Sequence, residues 1–111
     1  MTNSIYKYEI SLSDSITTID VPKGARILSF QNQKETACVW MLVNVHAPKE
    51  RRKFVIFGTG QPFEGLDEFT YVGTAQFRGG SLVFHCFELG TRFMGTRRSE
   101  DRSSVTGRSR A

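Results

Sequence analysis

Long apolar runs are missing from this chain of 111 residues, and so are most of the residue constellations that carry catalysis. No stretch approaches the roughly 18 to 20 apolar residues that a membrane-crossing helix requires. The opening Met1-Thr2-Asn3-Ser4 lacks the basic start and apolar core of a secretion signal, so a protein of the cytoplasm is expected. Cysteine is scarce: Cys38 and Cys86 have no CxxC spacing and lie inside apolar runs, which favours buried free thiols over a disulfide. Histidine is equally scarce. His46 stands at the end of one apolar run and His85 within another, with no nucleophile or carboxylate motif around either. His85 and Cys86 adjoin, but neighbours on a strand point to opposite faces, so they form neither a dyad nor half of a zinc site. No enzyme, no metal and no cofactor is expected. Gly58-Thr59-Gly60 is followed by neither the Gly-Lys-Ser/Thr of a phosphate loop nor a helix, which excludes the common dinucleotide fingerprints.

A single sign of charge is absent from the body. The formal net charge of +4 belongs to residues 90–111, where Arg92, Arg97, Arg98, Arg102, Arg108 and Arg110 face only Glu100 and Asp101. Residues 1–89 hold as many acidic as basic side chains and present no global field to a polyanion. The tail is rich in Gly, Ser, Thr and Arg and poor in large apolar groups, so it is expected to be flexible. The expected organisation is one β domain over 1–89 and a basic tail over 90–111, in which nucleic-acid binding is open to the tail and not expected of the body.

What the chain does have is aromatic and β-branched residues: nine Phe, three Tyr and one Trp. Ile5 to Ile10 alternates and reads as an edge strand. Ile16 to Val21 is a second strand, closed by the turn signal Pro22-Lys23-Gly24, and Arg26 to Gln33 a third. Lys34-Glu35-Thr36 is a polar connection to Ala37–Val45, an apolar run with Cys38, Trp40 and Leu42 on one face and Val39, Met41, Val43 and Val45 on the other. Valine density and the lack of a helix cap favour a central strand over a helix there. Ala47 to Lys53 reads as a charged loop. Phe54 to Phe57 is a buried strand, and Glu64 to Glu68 has room for one irregular helical turn. Tyr71 to Phe77 and Leu82 to Phe87 flank Gly79-Gly80, a hairpin signal because a type I′ turn needs positive φ at both central positions. The expected fold is all-β: a small antiparallel sandwich or strongly curved sheet of about seven strands.

The candidate site is the Gly58-Thr59-Gly60-Gln61-Pro62 loop. Its glycines permit positive φ and leave amides open to a ligand. Thr59, Gln61, Thr74 and Gln76 offer uncharged hydrogen-bonding groups suited to a base edge or a ribose. Trp40, Phe57 and Tyr71 are candidates for stacking on a purine. Arg26, Arg51, Arg52 and Arg78 are candidates for phosphate contact, through a guanidinium fork that matches phosphate oxygens. On pattern alone an ordinary turn, core aromatics and solvated arginines explain these residues as well.

Tyr6-Lys7-Tyr8, Pro22-Lys23-Gly24-Ala25-Arg26-Ile27-Leu28-Ser29, the run through Trp40, Phe57-Gly58-Thr59-Gly60-Gln61, Tyr71-Val72-Gly73-Thr74 and Val83-Phe84-His85-Cys86-Phe87-Glu88 together resemble a family of small bacteriophage proteins. The likeness covers residues 5–88, and the family is similar to phage anti-CBASS proteins, which act as sponges for cyclic dinucleotides. The resemblance implies a homo-oligomer, a tetramer in those sponges, that binds the host's immune signal in the cytoplasm of the infected bacterium without degrading it. It places Gly58, Thr59, Gly60, Gln61 and Thr74 near ligand, with Trp40 as a stacking partner. Family members often have histidine where this chain has Gln61, which implies a different ligand preference, and the arginine-rich tail has no counterpart in the pattern. Three other functions fit the composition: a protein-binding inhibitor of another defence system, anti-CRISPR-like in action; a minor phage structural or assembly protein; and a nucleic-acid binder that works through its tail.

Overall fold

A computed structural model describes residues 1–13, 15–64 and 68–90 of the chain. The expected helical turn falls largely on residues 65–67, and the expected tail on residues 91–111, which lie outside those described. Seven strands form two antiparallel sheets: β1 (Asn3–Glu9), β2 (Thr17–Pro22), β3 (Arg26–Gln33), β4 (Thr36–Asn44), β5 (Lys49–Gly58), β6 (Phe69–Phe77) and β7 (Leu82–Leu89). The first sheet runs β1-β4-β3 and the second β2-β5-β7-β6. The all-β reading of the sequence is correct, including the edge position of β1 and the central position of β4.

The two sheets face each other over one core, and strand parity decides what enters it. From β4 come Ala37, Val39, Met41 and Val43; from β5, Phe54 and Ile56; from β6 and β7, Ala75, Phe77 and Cys86. Cys86 is fully buried, and desolvation, with a smaller push from Glu88, drives its thiol up to about 12. His85, one residue earlier, therefore lies on the opposite, outer face of the second sheet. Both cysteines are free and buried, as expected.

Turn chemistry sets the hairpins. Gly79 and Gly80 have φ of 65° and 96°, the positive values that a type I′ turn demands, inside a single 3-10 turn at Arg78–Gly80. The β3–β4 connection reaches the same left-handed region without glycine, at Lys34 (φ 53°) and Glu35 (φ 66°). Side-chain bonds hold it there: Asn32 Oδ1 accepts from the Glu35 N–H at 2.7 Å, and Glu35 Oε1 accepts from the Arg78 N–H at 3.0 Å. The bond from Asn32 Nδ2 to Glu35, followed by that backbone bond, holds the Glu35 carboxyl below its usual range.

One expectation fails. Ala47 to Lys53 is not a charged loop, because β5 starts at Lys49 and pairs with β2 through Pro22↔Lys49 to Thr17↔Phe54. Alternation turns Glu50 and Arg52 toward the inner side, where each has a partner remote in sequence. Glu50 accepts from the Gly24 N–H at 3.0 Å. Arg52 makes a two-pronged ion pair with Glu88, Nε to Oε2 at 2.6 Å and Nη2 to Oε1 at 2.8 Å, and also donates to the Ala25 carbonyl. Arg52 is therefore an internal tie between β5, β7 and the β2–β3 turn, not an available phosphate contact.

The sheets approach closely where β3 meets β6. A bulge between Tyr71 and Gly73 kinks β6, and a Cβ placed on Gly73 would stand 3.0 Å from Phe30 Cβ. Gly73→Ala should therefore cost about 1–3 kcal/mol by overpacking, read as a lower urea midpoint with an unchanged slope. The Arg52–Glu88 pair, with side chains only 14% and 16% exposed, makes a second test. Glu88→Gln should destabilise by about 3 kcal/mol because it strands a nearly buried guanidinium, whereas Arg52→Met with Glu88→Leu should recover most of the loss. A double variant that loses the full sum of the separate Arg52→Met and Glu88→Leu losses would show that the pair is not coupled.

Candidate ligand-binding face

The outer face of the second sheet is built by the residues that alternate with the core positions. β5 contributes Val55 and Phe57; β7 contributes Val83, His85, Phe87 and Leu89, with Val55 opposite Phe87 and Phe57 opposite His85. β6 adds Phe69, Tyr71 and Thr74, opposite Leu89, Phe87 and His85. After Gly58 the chain turns, with Gly60 at φ 84° and the Gln61 N–H donating to the Gly58 carbonyl at 3.1 Å. It then folds back so that Phe63 stacks on Phe57, with centroids 4.0 Å apart and planes 6° from parallel.

The result is an aromatic cluster on the outside of the sheet. Phe63 meets Phe69 edge-on at 6.2 Å, Phe69 meets Phe87 at 5.1 Å, and Tyr71 meets Phe87 at 5.9 Å. Val55, Phe57 and Leu89 are buried beneath it, while Phe63, Phe69 and Tyr71 remain 43%, 41% and 58% exposed. Single exposed apolar residues are ordinary; here three aromatic rings are exposed together on one face.

Beside the cluster lies a hydrogen-bonded chain centred on His85. Its Nε2 is 2.7 Å from Thr59 Oγ1 and its Nδ1 is 3.0 Å from Thr74 Oγ1, which is in turn 2.6 Å from the Tyr71 hydroxyl. A neutral imidazole donates from one nitrogen and accepts at the other, so the two threonines play opposite roles. Thr59 has the Val83 carbonyl 3.5 Å away as an outlet for its own proton. The network is complete when Tyr71 donates to Thr74, Thr74 to Nδ1, and Nε2–H to Thr59. Among the described residues the ring nitrogens of His85 are bonded to hydroxyls and not to a carboxylate.

On the other side of the aromatic cluster, Lys49, Arg51 and Lys53 alternate with Glu50 and Arg52 and so share the face of Val55 and Phe57. All three are exposed. Arg51 meets Asp20 at 3.7 Å, a contact with both side chains largely in solvent and of little energetic weight. One side of the second sheet thus presents a basic row, an aromatic floor and a histidine–hydroxyl network in sequence.

Of the residues singled out from sequence, Thr59, Tyr71 and Thr74 converge here, with Gly58 and Gly60 shaping the loop. Gln61 turns back on that loop, its Oε1 accepting from the Gly58 N–H at 2.9 Å. Phe57 is buried as floor. Trp40 and Arg26 lie elsewhere, on the outer face of the first sheet, where Trp40 stands opposite Lys7 and Ser29, and Arg26 opposite Leu42. Arg78 is at the β6–β7 hairpin tip, on the rim of an open cleft of ≈ 500 Å³ whose walls include Leu12, Glu35 and Phe84. Sequence reasoning passed over His85 because its partners are 26 and 11 residues away; the signal was a polar residue at an outward position of an otherwise apolar strand. Among the described residues no cluster of three or more His, Cys, Asp or Glu is placed to hold a metal.

The architecture defines a small two-sheet antiparallel β protein with one outward aromatic and polar face. Residues 1–94 match the model of a family described as a domain of unknown function, DUF7352, and the chain belongs to that family. No curated protein and no solved structure matches it.

The hydrogen-bond direction can be checked by long-range ¹H–¹⁵N spectra, which should show His85 as the Nε2–H tautomer at neutral pH. Thr74→Val should remove that preference and cost about 1 kcal/mol of stability. Both tautomers of His85 in comparable amounts in the unaltered protein would contradict the network.

Proposed function

We propose that this chain binds a cyclic oligonucleotide, most simply a cyclic dinucleotide, on the outer face of its second sheet and sequesters it without turnover, as a phage counter-defence sponge would. The observation that carries the reading is the juxtaposition on one face of exposed Phe63, Phe69 and Tyr71, the Thr59–His85–Thr74 network, and the row Lys49, Arg51 and Lys53. Aromatic rings stack on bases whatever their identity. Hydroxyls and imidazole read polar base edges or ribose. Lysine and arginine meet phosphates, at short range and without a large net field. The sequence resemblance to phage sponge proteins points the same way.

Calorimetry against a panel of cyclic di- and trinucleotides tests this directly, with the ligand recovered after denaturation of the protein. Binding of at least one member, with the nucleotide recovered intact, is expected. Tyr71→Ala should weaken that binding about 10-fold or more, the loss of one stacked base, and Lys49→Glu with Lys53→Glu should weaken it further and flatten its salt dependence. No heat with any member, or recovery of a cleaved product, would overturn the reading.

A further inference from the structure

The four sheet edges are not treated alike. β3 carries a register shift between Ile27 and Ser29, and β6 one between Tyr71 and Gly73. These two edges also close on each other, with Asn32 Nδ2 donating to the Gln76 carbonyl at 3.0 Å. β2 ends in Pro22. Bulges, proline and mutual cover are the usual devices that keep an edge from pairing with another chain. β1 has none of these three and carries instead the exposed charges Lys7 and Glu9; it pairs with β4 in unbroken register from Asn3↔Asn44 to Glu9↔Cys38.

Parity says which of its backbone groups are free. The Val45 N–H donates to the Thr2 carbonyl at 3.0 Å and the Ile10 N–H to the Ala37 carbonyl at 2.9 Å. In an antiparallel pair the bonded positions recur every second residue. Ser4, Tyr6 and Tyr8 therefore bond to β4, and Asn3, Ile5, Lys7 and Glu9 turn their N–H and C=O groups outward.

We propose that β1 is a homodimer interface, on which the β1 of a second copy pairs antiparallel across a two-fold axis to make one continuous six-stranded sheet. The occupant is set by charge. Only odd-numbered residues can form bonded pairs across this edge, and the register that places Lys7 opposite Glu9 of the second copy does so twice by symmetry. The two neighbouring registers would place Lys7 against Lys7 or Glu9 against Glu9, like-charge pairs that oppose association, and the register centred on Tyr6 would leave Lys7 opposite Ile5 and Glu9 opposite Asn3, with no opposed charges to draw the copies together. The favoured register also centres the axis on Tyr8, whose hydroxyl is buried without a hydrogen-bond partner among the described residues. The exposed Ile5 (58%) sits on the same strand. This inference does not depend on the nucleotide reading, since β1 belongs to the other sheet.

Sedimentation equilibrium of the full-length protein tests it. The expected species has twice the 12.6 kDa chain mass. Lys7→Glu and Glu9→Lys, each introducing two like-charge contacts, should each raise the dimer dissociation constant by about 100-fold. The exchanged variant with both substitutions should restore it. Lys7 and Glu9 are exposed, so circular dichroism should show all three variants folded. A monomeric parent protein would overturn the proposal and leave the edge to a strand of a different protein. Single variants as dimeric as the parent, or a double variant no better than the singles, would overturn it too.

Discussion

The register between β5 and β7 is the constraint on which the rest of the molecule depends. It sets Phe57 opposite His85 and Phe54 opposite Glu88. Because side chains alternate, a slip of one residue along β7 would carry His85 and Phe87 into the core and expel Cys86. Both faces of this pair are occupied, the inner by the main core and the outer by the aromatic cluster. The Arg52–Glu88 ion pair adds a polar lock at the end of the same two strands. Neither face alone explains the pairing: the core wants apolar residues at even positions of β7, and the outer face wants aromatic and polar residues at odd ones.

That arrangement gives the outer face its character. β5 and β7 are central strands, so their outward residues form a rigid floor, and β6 with the loop after Gly58 supplies the walls. His85 is half-buried and keeps two hydroxyl partners, a geometry that orients the imidazole. The basic residues come from the same β5 strand, Lys53 one pleat repeat beyond Val55, or ~7 Å by strand geometry, with Arg51 and Lys49 one and two repeats further. Most of these groups are thus ordered along strands, with Thr59 and Phe63 added by the loop after Gly58.

Much of this fold was legible because its signals are local. Alternation marked β1 as an edge, two-sided apolarity marked β4 as central, and Gly79-Gly80 marked the last hairpin. What stayed hidden depends on distant partners. Glu50 and Arg52 read as solvated because nothing near them announces Gly24 or Glu88. The Lys34-Glu35 turn lacks glycine and holds its positive φ through Asn32 and the Arg78 backbone. At the candidate site, Thr59, Tyr71 and Thr74 stand out in the sequence as polar or aromatic groups near a glycine loop, whereas His85, which connects them, reads only as a histidine within an apolar run with no motif around it. Trp40 and Arg26 were grouped with them by composition, but strand order sends them to the other sheet.

The most direct test of the ligand face is a ¹H–¹⁵N and aromatic ¹H–¹³C chemical-shift titration of the labelled protein with the cyclic dinucleotide panel. The account predicts perturbations concentrated at Thr59, Phe63, Tyr71, Thr74, His85 and Phe87, spreading toward Lys53. Perturbations centred instead on Trp40 and Arg26, or none with any nucleotide at saturating concentration, would contradict it.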